Sequence, residues 1–306
     1  MMSENTTRDV TIVCVTYQSR KLVESLCDTL RSFQNIIVID NASTDGTVAA
    51  MRASLPHATI IENPGNDGYG KACNTAMRRV RTPLTLFLNP DCDIGPDALH
   101  KLIETMQRYP GAAIVAPQSF NRQLKPRKSY RQAFHIRTRR TPYRVPDATC
   151  SAQWVHGCCQ LVRTHAYHLV EGFDERFFLF FEDDDLCLRM HEAGFSCLLE
   201  PAASIVHTGG GSSARNARTQ FHRCFHYARS KYLITRKYLG KGAADRYLLK
   251  ITLASVPVVL MYSLFLRRKH AVKWLAWGAA ALACAFGQTP LSTHSGATGR
   301  SGEIVH

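Results

Sequence analysis

The sequence predicts an α/β protein: a mostly parallel sheet flanked by helices, with a basic helical extension at its C-terminal end. Two observations carry this. From Val10 to about Val115, short β-branched apolar runs alternate with helical patterns, as parallel strands joined by crossover helices require. The 306 residues, 45% hydrophobic and 20% charged, suffice to bury a core, which excludes a disulfide-stapled miniprotein and a disordered chain.

Taken in order, the strands read TIVCVT, IIVID, ATII, LTLFL and AAIV, with a helical pattern after each of the first four. Ligands of such sheets gather beyond the carboxyl ends of the strands. Those ends are Thr16-Tyr17, Asp40-Asn41, Asn63 to Gly70 and Asn89 to Asp93, all polar or glycine-rich. Residues 120–147 hold nine Arg or Lys and no acid before Asp147, which predicts a long basic loop beside something anionic. Regular structure resumes at WVHGCCQLVR, continues through FDERFFLFFEDDDLCLRMHEAG as a turn and amphipathic helix, and ends in the strand-like CLLE and ASIVH.

Beyond Gly211 the character changes, with 14 Lys or Arg against the single acid Asp245 in residues 215–273, on a mostly helical pattern. The apolar run Leu248 to Leu266 is interrupted by Lys250 and Pro257, and a second runs from Ala271 to Gly287. A span needs about 20 predominantly apolar residues, so a basic amphipathic region lying on the membrane fits better. The alternative is a helical hairpin packed on the domain. The expected organisation is an N-terminal tail (1–9), a catalytic domain (10–213), a basic helical, membrane-associated region (214–287) and a disordered tail (288–306).

Lys and Arg number 38 against 24 Asp and Glu, a net charge of +14 that favours anionic partners. The start MMSENTTRDV lacks the basic-then-apolar pattern of a secretory signal, so the eleven cysteines are expected as free thiols in a reducing cytosol. No C-x-x-C pair suggests zinc, and no metal is assigned to cysteine.

Asp91-Cys92-Asp93 follows the strand LTLFL and offers two hard oxygen ligands for Mg²⁺ or Mn²⁺ held with a diphosphate. Asp40 closes IIVID before the turn NASTDGT and can accept a hydrogen bond from a pyrimidine N–H, whereas Asp45 fits a helix cap better. The segment Asn63 to Gly70 leads into a helix, and its glycines let the backbone approach a ligand. It matches neither the Walker pattern nor G-x-G-x-x-G, so neither an ATPase nor a dehydrogenase is favoured. Glu182 to Asp185 place four adjacent carboxylates at a helix start beside aromatic bulk, which predicts at least one raised acid and a candidate general base. His207 ends a strand before a glycine-rich hinge and can complete a metal shell.

The ordered set VTYQS, VIDNASTDGT, NPGNDGYGKACNTA, FLNPDCDI, WVHGCCQLVR, FDERFFLFFEDDDLCLR and ASIVHTGGGSS resembles the family 2 glycosyltransferases of GT-A fold, in their bacterial rhamnosyltransferase-like branch. The resemblance runs from about Val10 to Ser213. It implies a mixed, mostly parallel sheet, and nucleotide contacts from Thr16, Tyr17 and Asp40 with Asn66, Gly70 and Asn74. It further implies metal and diphosphate binding by Asp91, Asp93 and His207, and a catalytic base at Asp183. One position departs from the branch pattern: Asp184 stands where E-D-V-D-L has an apolar residue.

The function so implied is inverting transfer of a sugar, best matched by L-rhamnose from dTDP-rhamnose, with Mn²⁺ or Mg²⁺. The acceptor is a hydroxyl of a cell-surface polysaccharide or polyprenyl-linked precursor, met on the inner face of the cytoplasmic membrane; no nucleic-acid partner is expected. Alternatives are transfer of galactofuranose, glucose or GlcNAc, and a catalytically silent nucleotide-sugar-binding protein. A nucleotidyltransferase would carry a glycine- and lysine-rich loop after the first strand, where this chain has TYQSRK.

Overall fold

The computed structural model describes residues 8–135, 142–209, 216–265 and 267–287. The glycine-rich stretch 210–213, most of the N-terminal tail, part of the basic loop and the tail 288–306 lie outside these residues. The elements run β1 (Val10–Thr16), α1 (Val23–Leu30), β2 (Asn35–Asp40), α2 (Thr47–Ser54), β3 (Thr59–Glu62), α3 (Tyr69–Met77), β4 (Leu84–Leu88), β5 (Cys92–Asp93), α4 (Pro96–Arg108) and β6 (Ala112–Phe120). There follow β7 (Tyr130–Arg131), β8 (Cys150–Ser151), β9 (Trp154–Val155), β10 (Cys159–Arg163), α5 (Thr164–Leu169), α6 (Glu182–Glu192), β11 (Ser196–His207), α7 (Ala217–Leu264) and α8 (Arg268–Ala285).

The main sheet has the order β3-β2-β1-β4-β10-β6-β11-β5, with β8 pairing β11. The joins of β1 with β2 and β4, of β2 with β3, and of β6 with β11 are parallel, as the alternation predicts. What alternation does not show is β10, which enters antiparallel between β4 and β6. The sheet is therefore mixed, and the strand ends on either side of β10 converge on one edge.

Both faces of β1 are buried, so its pleat feeds two cores: Ile12 and Cys14 pack with α1, α2 and α4, while Val13 and Val15 pack with α3, α5 and α6. Helix α4 starts at Pro96, where the missing N–H costs nothing, and carries Asp97 in its first turn. It buries Leu99, Leu102, Ile103 and Met106 along one stripe, each contributing about 1.5–3 kcal/mol of transfer free energy.

Helix α7 is broken at Gly240 (φ 80°), a conformation glycine adopts without steric cost. Its first half docks on the sheet domain, where Ser230 donates to the Leu179 carbonyl (2.9 Å) and His226 stacks on Phe178 at 4.1 Å. Its second half and α8 close, with Phe225 of the first half, a small core that also contains Ile251, Ala276 and Ala280. Among the described residues, α7 is the one helix long and apolar enough to cross a membrane.

Candidate active site

Register sets one end of the site. Thr16 lies beside Asp40 at the tips of β1 and β2, and its hydroxyl donates to Asp40 Oδ2 (2.8 Å). The Ser43 N–H and hydroxyl donate to Oδ1 (2.6 Å) and Oδ2 (2.7 Å) of the same carboxylate. Asp40 thus holds the NAST turn closed, with Tyr17 half-buried beside it. Asp45 does what its position predicts, accepting from the Arg20 N–H (3.0 Å) and from Thr47. Asn41 and Asn63, strand-end residues given no individual role by the sequence, tie this tip to the glycine loop: Asn63 donates to Asn41 Oδ1 (2.8 Å), and Asn41 to the Gly68 carbonyl (3.1 Å).

Three expected nucleotide contacts have other neighbours. Asn66 accepts from the Gly68 N–H (3.1 Å) and shapes the loop. Gly70 is buried where a Cβ would come within 2.9 Å of Phe173 Cβ, so its small size serves packing. Asn74 is committed on both sides: it donates to the Phe173 carbonyl and Glu175, and accepts from the Tyr167 hydroxyl and the Phe173 N–H. Gly70 and Asn74 thus both build the α3–Phe173 junction.

The Asp91-Cys92-Asp93 segment divides. Asp91 Oδ1 lies 3.3 Å from His207 Nε2, and the Thr208 N–H donates to the Asp91 carbonyl (3.0 Å). Asp93 turns instead to α1, where Thr29 donates to its Oδ1 (3.1 Å). The cause is the turn Asn89–Cys92, closed by Cys92 N–H on the Asn89 carbonyl: Asp91 precedes β5 and escapes the alternation that would put it on one face with Asp93. Asp91 and His207 meet as expected, but Asp93 does not bring a third ligand atom to them.

Two thiols sit there in its place. Cys92, Cys158 and His207 are buried with their ligand atoms within 4.8 Å of one another, which the cysteine spacing did not reveal. Burial works against a thiolate at Cys158, but contacts with Cys92, His156 and His207 outweigh it and hold that thiol well below its ordinary value. Burial likewise opposes a charged His207, yet Asp91 and Cys158 push it up to about 9.

At the other end, Asp183 stands in the first turn of α6. Its Oδ2 accepts from Trp154 Nε1 (3.0 Å) and the Gly157 N–H (3.0 Å), while Oδ1 accepts from the Asp184 N–H (3.0 Å). A Cβ at residue 157 would come within 2.8 Å of Asp183 Cβ, so only glycine brings this donor so close. The other three carboxylates differ sharply. Glu182 is driven well above its ordinary value by burial and by Asp183. Asp184 is raised to about 7 by burial and Asp183, although Arg131 Nη2 lies 2.6 Å away. Asp184, in the first turn, is only 4% exposed. Asp185 is fully buried and meets Arg189 (2.8 Å), Lys237 (2.6 Å) and the Tyr238 hydroxyl (2.9 Å).

The WVHG segment joins the two ends. Arg131 lies 4.2 Å over the Trp154 ring, Trp154 touches His156 at 5.6 Å between centroids, and His156 touches His207 at 5.4 Å. The Arg127 guanidinium, from the basic loop, fills the space where Gly209 would carry a Cβ. A fixed carboxylate, the Asp91–His207 pair and basic side chains are thus joined through the WVHG segment at one edge of the fold. Such an edge can take a proton from a hydroxyl at one end and stabilise developing phosphate charge at the other.

The family model described as Glycosyl transferase family 2 matches residues 11–169. N-acetylglucosaminyl-diphospho-decaprenol L-rhamnosyltransferase of Mycobacterium tuberculosis is 26% identical over 277 residues, spanning 79% of this chain and 90% of that protein. Rhamnosyltransferase WbbL of Escherichia coli is 31% identical over 96 residues, 30% of this chain and 35% of that protein. Among solved structures, the mannosyltransferase PcManGT of Pyrobaculum calidifontis, in complex with GDP-Man and Mn²⁺, superposes with a TM-score of 0.55 at 15% identity, covering 92% of this chain and 88% of that one. TarS of S. aureus with UDP-GlcNAc gives a TM-score of 0.53 at 13% identity, covering 91% and 92%. The fold is of the GT-A type, as expected.

Proposed function

From the premise that this chain belongs to glycosyl transferase family 2, we propose that it is an inverting rhamnosyltransferase acting on dTDP-L-rhamnose and a polyprenyl-linked or polysaccharide acceptor at the inner face of the cytoplasmic membrane. The observation that carries the reaction type is Asp183, whose Oδ2 is fixed by two donors while Oδ1 receives only the Asp184 N–H. Oδ1 keeps a lone pair for the acceptor hydroxyl. As that oxygen attacks the anomeric carbon opposite the leaving diphosphate, its proton passes to Oδ1, and a single displacement inverts the centre. The choice of rhamnose is supported by similarity over 79% of the chain to a protein named as an L-rhamnosyltransferase with a diphospho-decaprenol substrate.

The residues present fit a divalent cation, Mn²⁺ or Mg²⁺. Asp91 offers a hard oxygen beside the imidazole of His207, and His207 Nδ1 is buried without a hydrogen-bond partner. Bound there, the ion would act as a Lewis acid on the leaving diphosphate. Asp40, Thr16 and Tyr17 form the wall against which the nucleotide base and ribose pack. Arg127 adds positive charge beside the diphosphate. The membrane partner is supported by the exposed Leu253, Leu260, Leu264 and Phe265 of α7, next to Arg267, Arg268 and Lys269.

A panel of nucleotide sugars, assayed with and without Mn²⁺, tests this directly. Transfer of rhamnose, abolished by chelation, is the expected result; transfer of another sugar would replace the donor, and full activity in excess chelator would remove the metal. Asp183→Asn should keep donor binding and lose about 10²–10⁴-fold in kcat. Near-normal turnover in that variant would move the base elsewhere in the cluster.

A further inference from the structure

Two buried thiols beside the proposed donor-metal pair have no part in sugar transfer. A cation shared with a diphosphate prefers oxygen and imidazole, and neither Cys92 nor Cys158 suits that preference. The fold nevertheless assembles them firmly. Antiparallel pairing sets His207 opposite Cys92, and Cys158 directly precedes β10, whose Cys159 lies opposite Leu88 at the tip of β4. The outcome is two sulfurs and one imidazole nitrogen within 4.8 Å of one another.

This is a soft donor set. Tetrahedral Zn²⁺, with Zn–S about 2.3 Å and Zn–N about 2.0–2.1 Å, holds neighbouring donors at most about 3.8 Å apart, so movements of about an ångström would close the shell. Two further donors flank it: Asp91 Oδ1, 3.3 Å from His207 Nε2, and His156 Nδ1, 2.8 Å from Cys158 Sγ.

We propose that Cys92, Cys158 and His207 form a binding site for one thiophilic divalent cation of the Zn²⁺ class, and that filling it withdraws His207 from Asp91 and arrests sugar transfer. Binding stands on the geometry alone; the arrest rests on the reading of Asp91 and His207 as the donor-metal pair. No electrons move. Each donor that still carries a proton, thiol or imidazolium, releases it to solvent as it bonds to the cation, so one cation displaces up to three protons.

The test uses the full-length, reduced, chelator-stripped protein titrated with Co²⁺ as a spectroscopic stand-in, and with Zn²⁺ in competition with a chromophoric chelator. One equivalent should bind with a thiolate-to-cobalt charge-transfer band. Cys92→Ala and Cys158→Ala should lose intensity in that band and weaken Zn²⁺ binding at least tenfold, while Cys159→Ala, whose thiol lies outside the group, should keep both. Absence of the band in the unaltered protein overturns the site even if a variant fails to fold. Zn²⁺ affinity unchanged in both Cys92→Ala and Cys158→Ala overturns it as well. Stoichiometric Zn²⁺ should stop Mg²⁺-supported transfer in the unaltered protein; continued transfer with the cobalt band present overturns the arrest. If the band forms but no nucleotide sugar is consumed with any cation, the transferase reading fails and the cation site stands.

Discussion

In the sheet domain the largest fully buried side chains include Phe87, Tyr167, Phe177 and Ile12, whereas the small core of the α7–α8 hairpin sets Ala228, Ala276, Ala280 and Ala281 around Phe225 and Ile251 and turns Leu253, Val256, Leu260, Leu264 and Phe265 outward, each at least 60% exposed. In water the first arrangement is favourable and the second is not. A seam of small residues also lets helices approach closely, and a Cβ at Gly278 would lie 2.9 Å from Ser255 Oγ. Helices that pack through small residues and face outward with leucine are built for apolar surroundings. The contrast teaches that the two regions bury and expose apolar surface by different rules, and it supports the proposed membrane partner for the second half of α7.

The contrast can be broken at four places. The largest effect belongs to the sheet: Phe87→Ala should cost about 3–5 kcal/mol in urea unfolding, because Phe87 packs against Tyr167 and Phe173 with ring centroids 5.4 Å away from each. A loss below about 1 kcal/mol would mean that this core is loose.

Next comes the junction of the two regions. Lys237→Ala removes a charge 2.6 Å from the fully buried Asp185, while Arg189 and Tyr238 remain, so a loss of about 1–3 kcal/mol is expected in the same assay. Truncation after Arg236 would remove Lys237 and Tyr238 together and damage the sheet domain. The clean test of vesicle binding therefore cuts beyond Gly240.

The sheet domain also buries charge. Asp184 is raised from 3.8 to about 7 in the folded state, so the folded form holds its proton more tightly and stability falls as pH rises between those values. Asp184→Asn lacks this dependence, and its stability relative to the unaltered chain should improve by about 1 kcal/mol or more from pH 4 to pH 7. A pH-independent difference would show that Arg131 keeps Asp184 ionised throughout. The smallest effect on stability belongs to the hairpin. Replacing Leu253, Leu260 and Leu264 by Ser should each change unfolding by no more than about 0.5 kcal/mol, while binding to anionic vesicles drops at least tenfold. Equal vesicle binding would return the hairpin to an ordinary packed element.

The parallel half of the fold was legible because each strand from Val10 to Val115 is a β-branched run ending in polar residues. The antiparallel β10 was not, since its run CQLVR looks like any other strand and its direction depends on partners far away in sequence, such as Leu88 opposite Cys159. At the site, Asp40, Asp91, His207 and the acidic run were visible as strand-end and helix-start residues. The turn of Asp93 toward Thr29 was not legible, because a turn ahead of β5 broke the alternation. Arg131, Trp154 and Gly157 acquire meaning only through contacts across the chain; the one local hint was a glycine next to an aromatic–histidine pair. The thiol pair was hidden because Cys92 and Cys158 are far apart in sequence.

The grip of Lys237 and Tyr238 on Asp185 has a consequence for the order in which the protein is made. Domains generally fold as the chain emerges, N-terminal portions first. Yet the helix that carries Asp183 also carries Asp185, whose cationic and hydroxyl partners at 237 and 238 emerge more than 50 residues later. A chain stopped short of them holds every strand of the sheet but leaves the buried carboxylate with Arg189 and without Lys237 and Tyr238. Asp183 itself is held by donors at 154 and 157 that have already been made; what waits for the segment proposed to reach the acceptor is the full set of partners that anchors α6 at Asp185.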